Sequence, residues 1–174
     1  MEPLDNSDIN SGTFAKKSDC VDYLDVLDKP VLVPGEETRC PRVVRGVKID
    51  FSIQRVVALL VSEQGRPRWQ VGLLRVRSIG ADEVAIVSWD CLDPLDYEGG
   101  RNVFGKSGGL IGAKVISGQG RYRSKVGTFR FRPVGGNITK YIMSRGVPKD
   151  LFTRRRVIAR DQVDSASPEK IVTF

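Results

Sequence analysis

The chain has 174 residues, 40% hydrophobic and 28% charged, with a net charge of +7. That length and balance suit one folded domain with a sizeable core and argue against a disordered polymer. It contains no histidine, which removes Ser-His-Asp and Cys-His nucleophile activation, histidine-ligated metals and the commonest general base near neutral pH.

Other absences narrow the class further. Cys20, Cys40 and Cys91 are odd in number and form no Cys-x-x-Cys pair, so they read as free thiols in a reducing compartment rather than a zinc site. The longest apolar run, Val56–Val61, falls far short of the ~20 residues of a transmembrane helix. The acidic start lacks the basic-then-apolar layout of a signal peptide, so export by that route is not expected.

Charge is divided sharply along the chain. Residues 1–28 hold seven acids against two lysines, and residues 29–100 balance at zero. Residues 101–160 hold fifteen Lys and Arg against the single acid Asp150, a net of +14. A basic surface of that density attracts phosphate polymers or anionic membrane by counterion release and long-range steering.

In chain order, residues 1–41 are expected to form a mostly disordered acidic region and linker. Within it, Val21, Leu24 and Leu27 fall at helical spacing after Ser18. This segment reads either as a short helix packed on the domain or as a peptide docking on a partner through Tyr23, Leu24 and Leu27. Pro30, Pro34, Gly35 and Pro41 mark the way into a β-rich globular domain over 42–163. Val47, Ile49, Phe51 and Ile53 alternate with polar residues as in a half-buried strand, and Val56–Val61 reads as a more deeply buried one. Trp69–Ile79 and Glu83–Trp89 follow as strands around a Gly80-Ala81-Asp82 turn. Cys91–Gly109 reads as a long glycine-rich loop. Leu110–Ser117 and Arg121–Arg132 read as strands, the latter with Phe129 and Phe131 directed to the core and Arg130 and Arg132 to solvent. Asn137 is placed as the N-cap of a short helix ended by Gly146, and Leu151–Asp161 as a second helix. Residues 164–174 are expected to be a loose tail. The fold class is therefore α+β and β-rich, an antiparallel sheet or sandwich with one or two short C-terminal helices.

Three motifs carry candidate chemistry. Gly100-Arg101-Asn102-Val103-Phe104-Gly105-Lys106-Ser107 satisfies the nucleotide-binding P-loop expression, but the chemistry needs a strand feeding the first glycine and a helix starting at the lysine. Residues 93–98 and Gly108-Gly109 deny both, so the match reads as accidental, with Lys106 left as one phosphate contact in a wider surface. Arg121, Tyr122, Arg123 and Lys125, with Arg130 and Arg132, interleave cations and aromatics as nucleic-acid-binding surfaces do, and Tyr122 is the stacking candidate. Arg154, Arg155 and Arg156 offer a further phosphate contact or a nuclear-import address, the latter not favoured. No metal-ligating set, cofactor motif or catalytic constellation is present, and the chain reads as a non-enzyme.

In size, charge and layout the chain resembles the small matrix proteins of plant-infecting rhabdoviruses, which are basic and β-rich with a loose N-terminus. The resemblance implies a structural protein that binds RNA or ribonucleoprotein, self-associates in virion assembly and meets anionic membrane peripherally. It also implies residence in the virion and the host cytoplasm, and no cofactor. The acidic N-terminus, without a basic arm or a proline-tyrosine budding peptide, departs from that pattern. A plant-virus movement protein or an RNA-binding silencing suppressor shares the same gross features. A P-loop nucleotide hydrolase is the distant enzymatic alternative.

Overall fold

A computed structural model of the chain describes residues 20–37, 41–95, 101–104, 109–144 and 156–174. The expectations for residues 1–17, the Ser18 cap and the P-loop lysine lie outside them. The chain forms two mixed β-sheets whose side chains meet in a single core.

The segment after Cys20 is part of the folded body, in line with the reading of it as a short helix packed on the domain. It supplies β1 (Val21–Asp22), a single helical turn α1 (Tyr23–Val26) and β2 (Pro30–Leu32). Asp22 caps α1, its carboxylate accepting from the Leu24 amide at 3.1 Å. Tyr23 and Val26 are fully buried and Leu27 nearly so, while Leu24 packs against the core's margin. Tyr23, Leu24 and Leu27 are therefore packing residues, and the reading that made them a docking surface for another protein is corrected.

The N-terminal sheet continues with β3 (Arg42–Asp50), β4 (Arg55–Ser62), β5 (Trp69–Gly72), β6 (Val76–Ile79), β7 (Val84–Ile86), β8 (Leu92–Pro94) and β9 (Arg101–Phe104). Its order is β6-β7-β2-β3-β4-β5-β8, with β9 on β3; β2 and β7 run parallel. Alternation in β3 buries Val47 and Ile49 as expected, but the strand ends at Asp50 and Ile53 sits exposed in the turn. The expected strand over 69–79 is broken by a 3-10 turn, η1 (Leu73–Arg75), and η2 (Trp89–Cys91) precedes β8. The glycine-rich stretch read as a loop holds two strands, β8 and β9, because each finds an edge to pair with.

The C-terminal sheet holds β10 (Lys114–Ser117), β11 (Tyr122–Phe131), β12 (Ile138–Ser144), β13 (Val157–Ala159), β14 (Val163–Ala166) and β15 (Lys170–Thr173). Its order is β13-β12-β11-β10-β15-β14, and β1 extends the β10 side of β11. The expected helix from Asn137 is the strand β12. Pro133–Gly136 is a hairpin loop in which Gly135 and Gly136 take φ of +80° and +70°, the left-handed region glycine enters freely. Ile138, Tyr141, Ile142 and Met143 are buried by sheet pairing rather than along a helical stripe. Of the second expected helix, residues 151–155 lie outside the description, and the remainder is β13 followed by the 3-10 turn η3 (Arg160–Gln162). The tail expected to be loose forms β14 and β15, the latter parallel to β10. The α+β assignment with C-terminal helices is thus replaced by a β-rich fold with mixed sheets.

Two devices join the sheets. Tyr23 stacks on Phe129 of the C-terminal sheet, centroids 4.8 Å apart and planes 9° apart, and its hydroxyl donates to the Val103 carbonyl of β9. At the other seam the β11–β12 loop meets β4: the Val56 amide donates to the Gly136 carbonyl at 2.8 Å and the Ile138 amide to the Gln54 carbonyl at 3.0 Å. A Cβ on Gly136 would stand 1.9 Å from the Val56 carbonyl oxygen, so only glycine permits this approach.

Candidate nucleic-acid interface

The outer face of the C-terminal sheet is set by register. β10 and β15 carry near-copies of one pattern, Lys114-Val115-Ile116-Ser117 and Lys170-Ile171-Val172-Thr173, and pair residue for residue. Val115, Ile171, Ser117 and Thr173 turn inward and are buried, which turns Lys114 and Lys170 out. On the other side Lys114 stands directly opposite Lys125 of β11. Lys125, Lys114 and Lys170 therefore form one row across three adjacent strands, neighbouring backbones about 4.8 Å apart.

The next row along the same face is Tyr122, Ile116 and Val172. Tyr122 is 59% exposed. A bulge at Arg123, which disturbs the register between Val115 and Ile116, puts Tyr122 and Lys125 on one face although their numbers differ in parity. Arg121 and Arg123 are exposed beside them.

Like charges directly opposite across a strand pair oppose folding by up to about 1 kcal/mol each. Among the described residues none of the ion pairs reaches Lys114, Lys125 or Lys170. The row is thus a concentration of cations without an ion-pair partner among the described residues. An acceptor-rich polyanion laid across it would remove the repulsion and release counterions.

The remaining sequence candidates separate. Arg130 is half-buried, its Nε 3.5 Å from the Asp22 carboxylate, which also accepts from the Thr128 hydroxyl. It ties β1 to β11: its neighbour across the sheet on one side is Lys140 and on the other is the acid, so part of its charge is already engaged within the fold. Arg132 is exposed and lines a shallow cleft with Asn137, Thr139 and Arg160, away from the lysine row. Arg156 is exposed before β13 and lines a cleft of about 350 Å³ together with Arg123 and Phe174. Lys106, Arg154 and Arg155 lie outside the described residues. Phe129 and Phe131 are fully buried, as their alternation indicated.

Sequence reasoning missed Lys114 and Lys170. Lys170 lay in a stretch read as loose, and only the likeness of the two tetrapeptides around these lysines hinted that they pair. The P-loop expression has a structure of its own: Arg101–Phe104, the residues between its glycines, are β9, antiparallel to β3, with Val103 buried. Those four residues are committed to a sheet and do not curl around a phosphate. Among the described residues no three His, Cys, Asp or Glu side chains gather as metal ligands would. No protein-family model matches the chain, and no curated protein sequence matches it.

Proposed function

We propose that this protein is a non-enzymatic, matrix-like structural protein that holds RNA or ribonucleoprotein against the outer face of its C-terminal sheet and self-associates in virion assembly. The observation that carries the reading is the row Lys125, Lys114 and Lys170 beside the exposed ring of Tyr122. Cations in a line suit a backbone of phosphates, and an aromatic ring next to them suits an unstacked base. Nothing in the row selects one base over another, so binding is sequence-independent and favours single strands. Titrating the full chain into labelled single-stranded RNA of mixed sequence tests this. Affinity should fall steeply between about 50 and 200 mM salt. No binding at the lower salt, or a flat response, would exclude the reading.

A further inference from the structure

The chain has two tryptophans, and the fold brings them to one place. Trp69 opens β5 and Trp89 opens η2, and the Arg42 guanidinium of β3 lies between them, 5.0 Å from one ring centre and 4.9 Å from the other. Glu63 fixes that guanidinium, its Oε1 accepting from Nε at 3.1 Å and standing 3.0 Å from the second nitrogen. Both contacts fall on Oε1, so Oε2 has no partner among the described residues. Trp69 and Glu63 also line a cleft of about 370 Å³ with Pro41, Gln64 and Arg68. The Arg68 backbone is tied on both sides, its amide to Val61 and its carbonyl to Leu95, while its exposed side chain takes part in no ion pair among the described residues.

We propose that this cleft is a nucleotide subsite that takes a guanine base with its 5′ phosphate. The Trp69 indole, held from one side by Arg42, is a fixed surface for stacking. The Glu63 carboxylate is an acceptor only, and Oε2 is open. Guanine presents adjacent N–H donors on its Watson–Crick edge, whereas adenine presents a donor beside an acceptor that the carboxylate would repel. Arg68 supplies the cation for the phosphate. The cleft volume lies within the range of small-ligand sites. It belongs to the N-terminal sheet, not to the face carrying the lysine row, and does not depend on RNA binding there. The same chemistry admits a free nucleotide or the 5′ end of an RNA.

Because Trp69 lines the cleft and shares the Arg42 guanidinium with Trp89, intrinsic fluorescence of the full chain reports on it. GMP should quench it saturably and bind about tenfold more tightly than AMP, the discrimination that one mismatched hydrogen-bonding edge gives. Glu63→Gln should erase most of that preference. Arg68→Gln, at an exposed side chain, should weaken GMP but leave guanosine unchanged. A short RNA beginning with unpaired guanosine, compared with one beginning with adenosine, separates the two sources: a preference there equal to that for GMP assigns the site to RNA ends, and a preference for GMP alone assigns it to free nucleotide. Absence of saturable quenching by GMP, or equal affinity for AMP, overturns the proposal. GMP binding that persists in a chain showing no RNA binding would refute the lysine-row reading and leave this one standing.

Discussion

Replacing Tyr23 by alanine removes a fully buried ring that stacks on Phe129 and bonds the Val103 carbonyl, so it acts on both sheets at once. Truncating a buried aromatic to alanine costs about 3–5 kcal/mol, stacking included, because the cavity does not collapse fully. Against a total stability of about 5–15 kcal/mol this leaves little reserve. For a chain of this size it corresponds to a fall in Tm of roughly 6–20 °C. Urea unfolding followed by circular dichroism measures it, with the m-value expected to hold if the denatured state is unchanged. Tyr23→Phe keeps the ring and should cost only about 0.5–1.5 kcal/mol for the lost hydrogen bond. If Tyr23→Ala melted within about 2 °C of the parent, the ring would not be seated between the sheets, and residues 20–27 would be a detachable peptide after all.

Two further outcomes follow from the seams. Gly136→Ala forces a Cβ against the Val56 carbonyl at a φ of +70°, so it should destabilise by more than the about 1–2 kcal/mol of the left-handed backbone alone, whereas Gly135→Ala, whose Cβ would meet the Arg55 and Asn137 side chains only at an ordinary contact distance of 3.6 Å, should cost only that. Burial pushes the phenols of Tyr23 and Tyr141 well above their usual range, with the Asp28 charge adding to the first and the Arg160 charge opposing the second. Above about pH 10 the unfolded chain loses these protons while the folded chain keeps them, so stability is full below that pH and declines above it, by up to about 1.4 kcal/mol per pH unit for each ring. Urea midpoints measured from neutral to alkaline pH should show that decline, and it should be shallower in Tyr141→Phe.

The strands were legible where one face is buried and the other wet. Val47 and Ile49, Val56–Val61, and Phe129 with Phe131 all announced themselves by alternation or by an unbroken apolar run. The helices were misread for a physical reason. Ile138, Tyr141 and Ile142 satisfy a helical spacing, yet Gly135-Gly136 at positive φ makes a hairpin, and a strand buried on both faces does not alternate. Pairings between distant segments left little local trace: β15 lies alongside β10 across more than fifty residues, and β1 alongside β11 across more than a hundred. The site suffered from the same blindness. Tyr122, Arg123 and Lys125 could be picked from composition, but the bulge that turns Tyr122 and Lys125 to one face, and the two lysines beside them, come from register.

The lysine row is best tested by neutralising it. Lys114, Lys125 and Lys170 replaced together by glutamine remove three cations that stand side by side with no ion pair among the described residues. The decisive quantity is the slope of log affinity for single-stranded RNA against log salt, measured for the parent and the triple variant alongside their urea midpoints. Three lost phosphate contacts should make the slope shallower by about 2, at about 0.7 per phosphate on a single strand. Stability should stay level or rise as the repulsion is relieved. An unchanged slope in a folded variant would place the RNA elsewhere, and a loss of stability would show the three lysines to be structural.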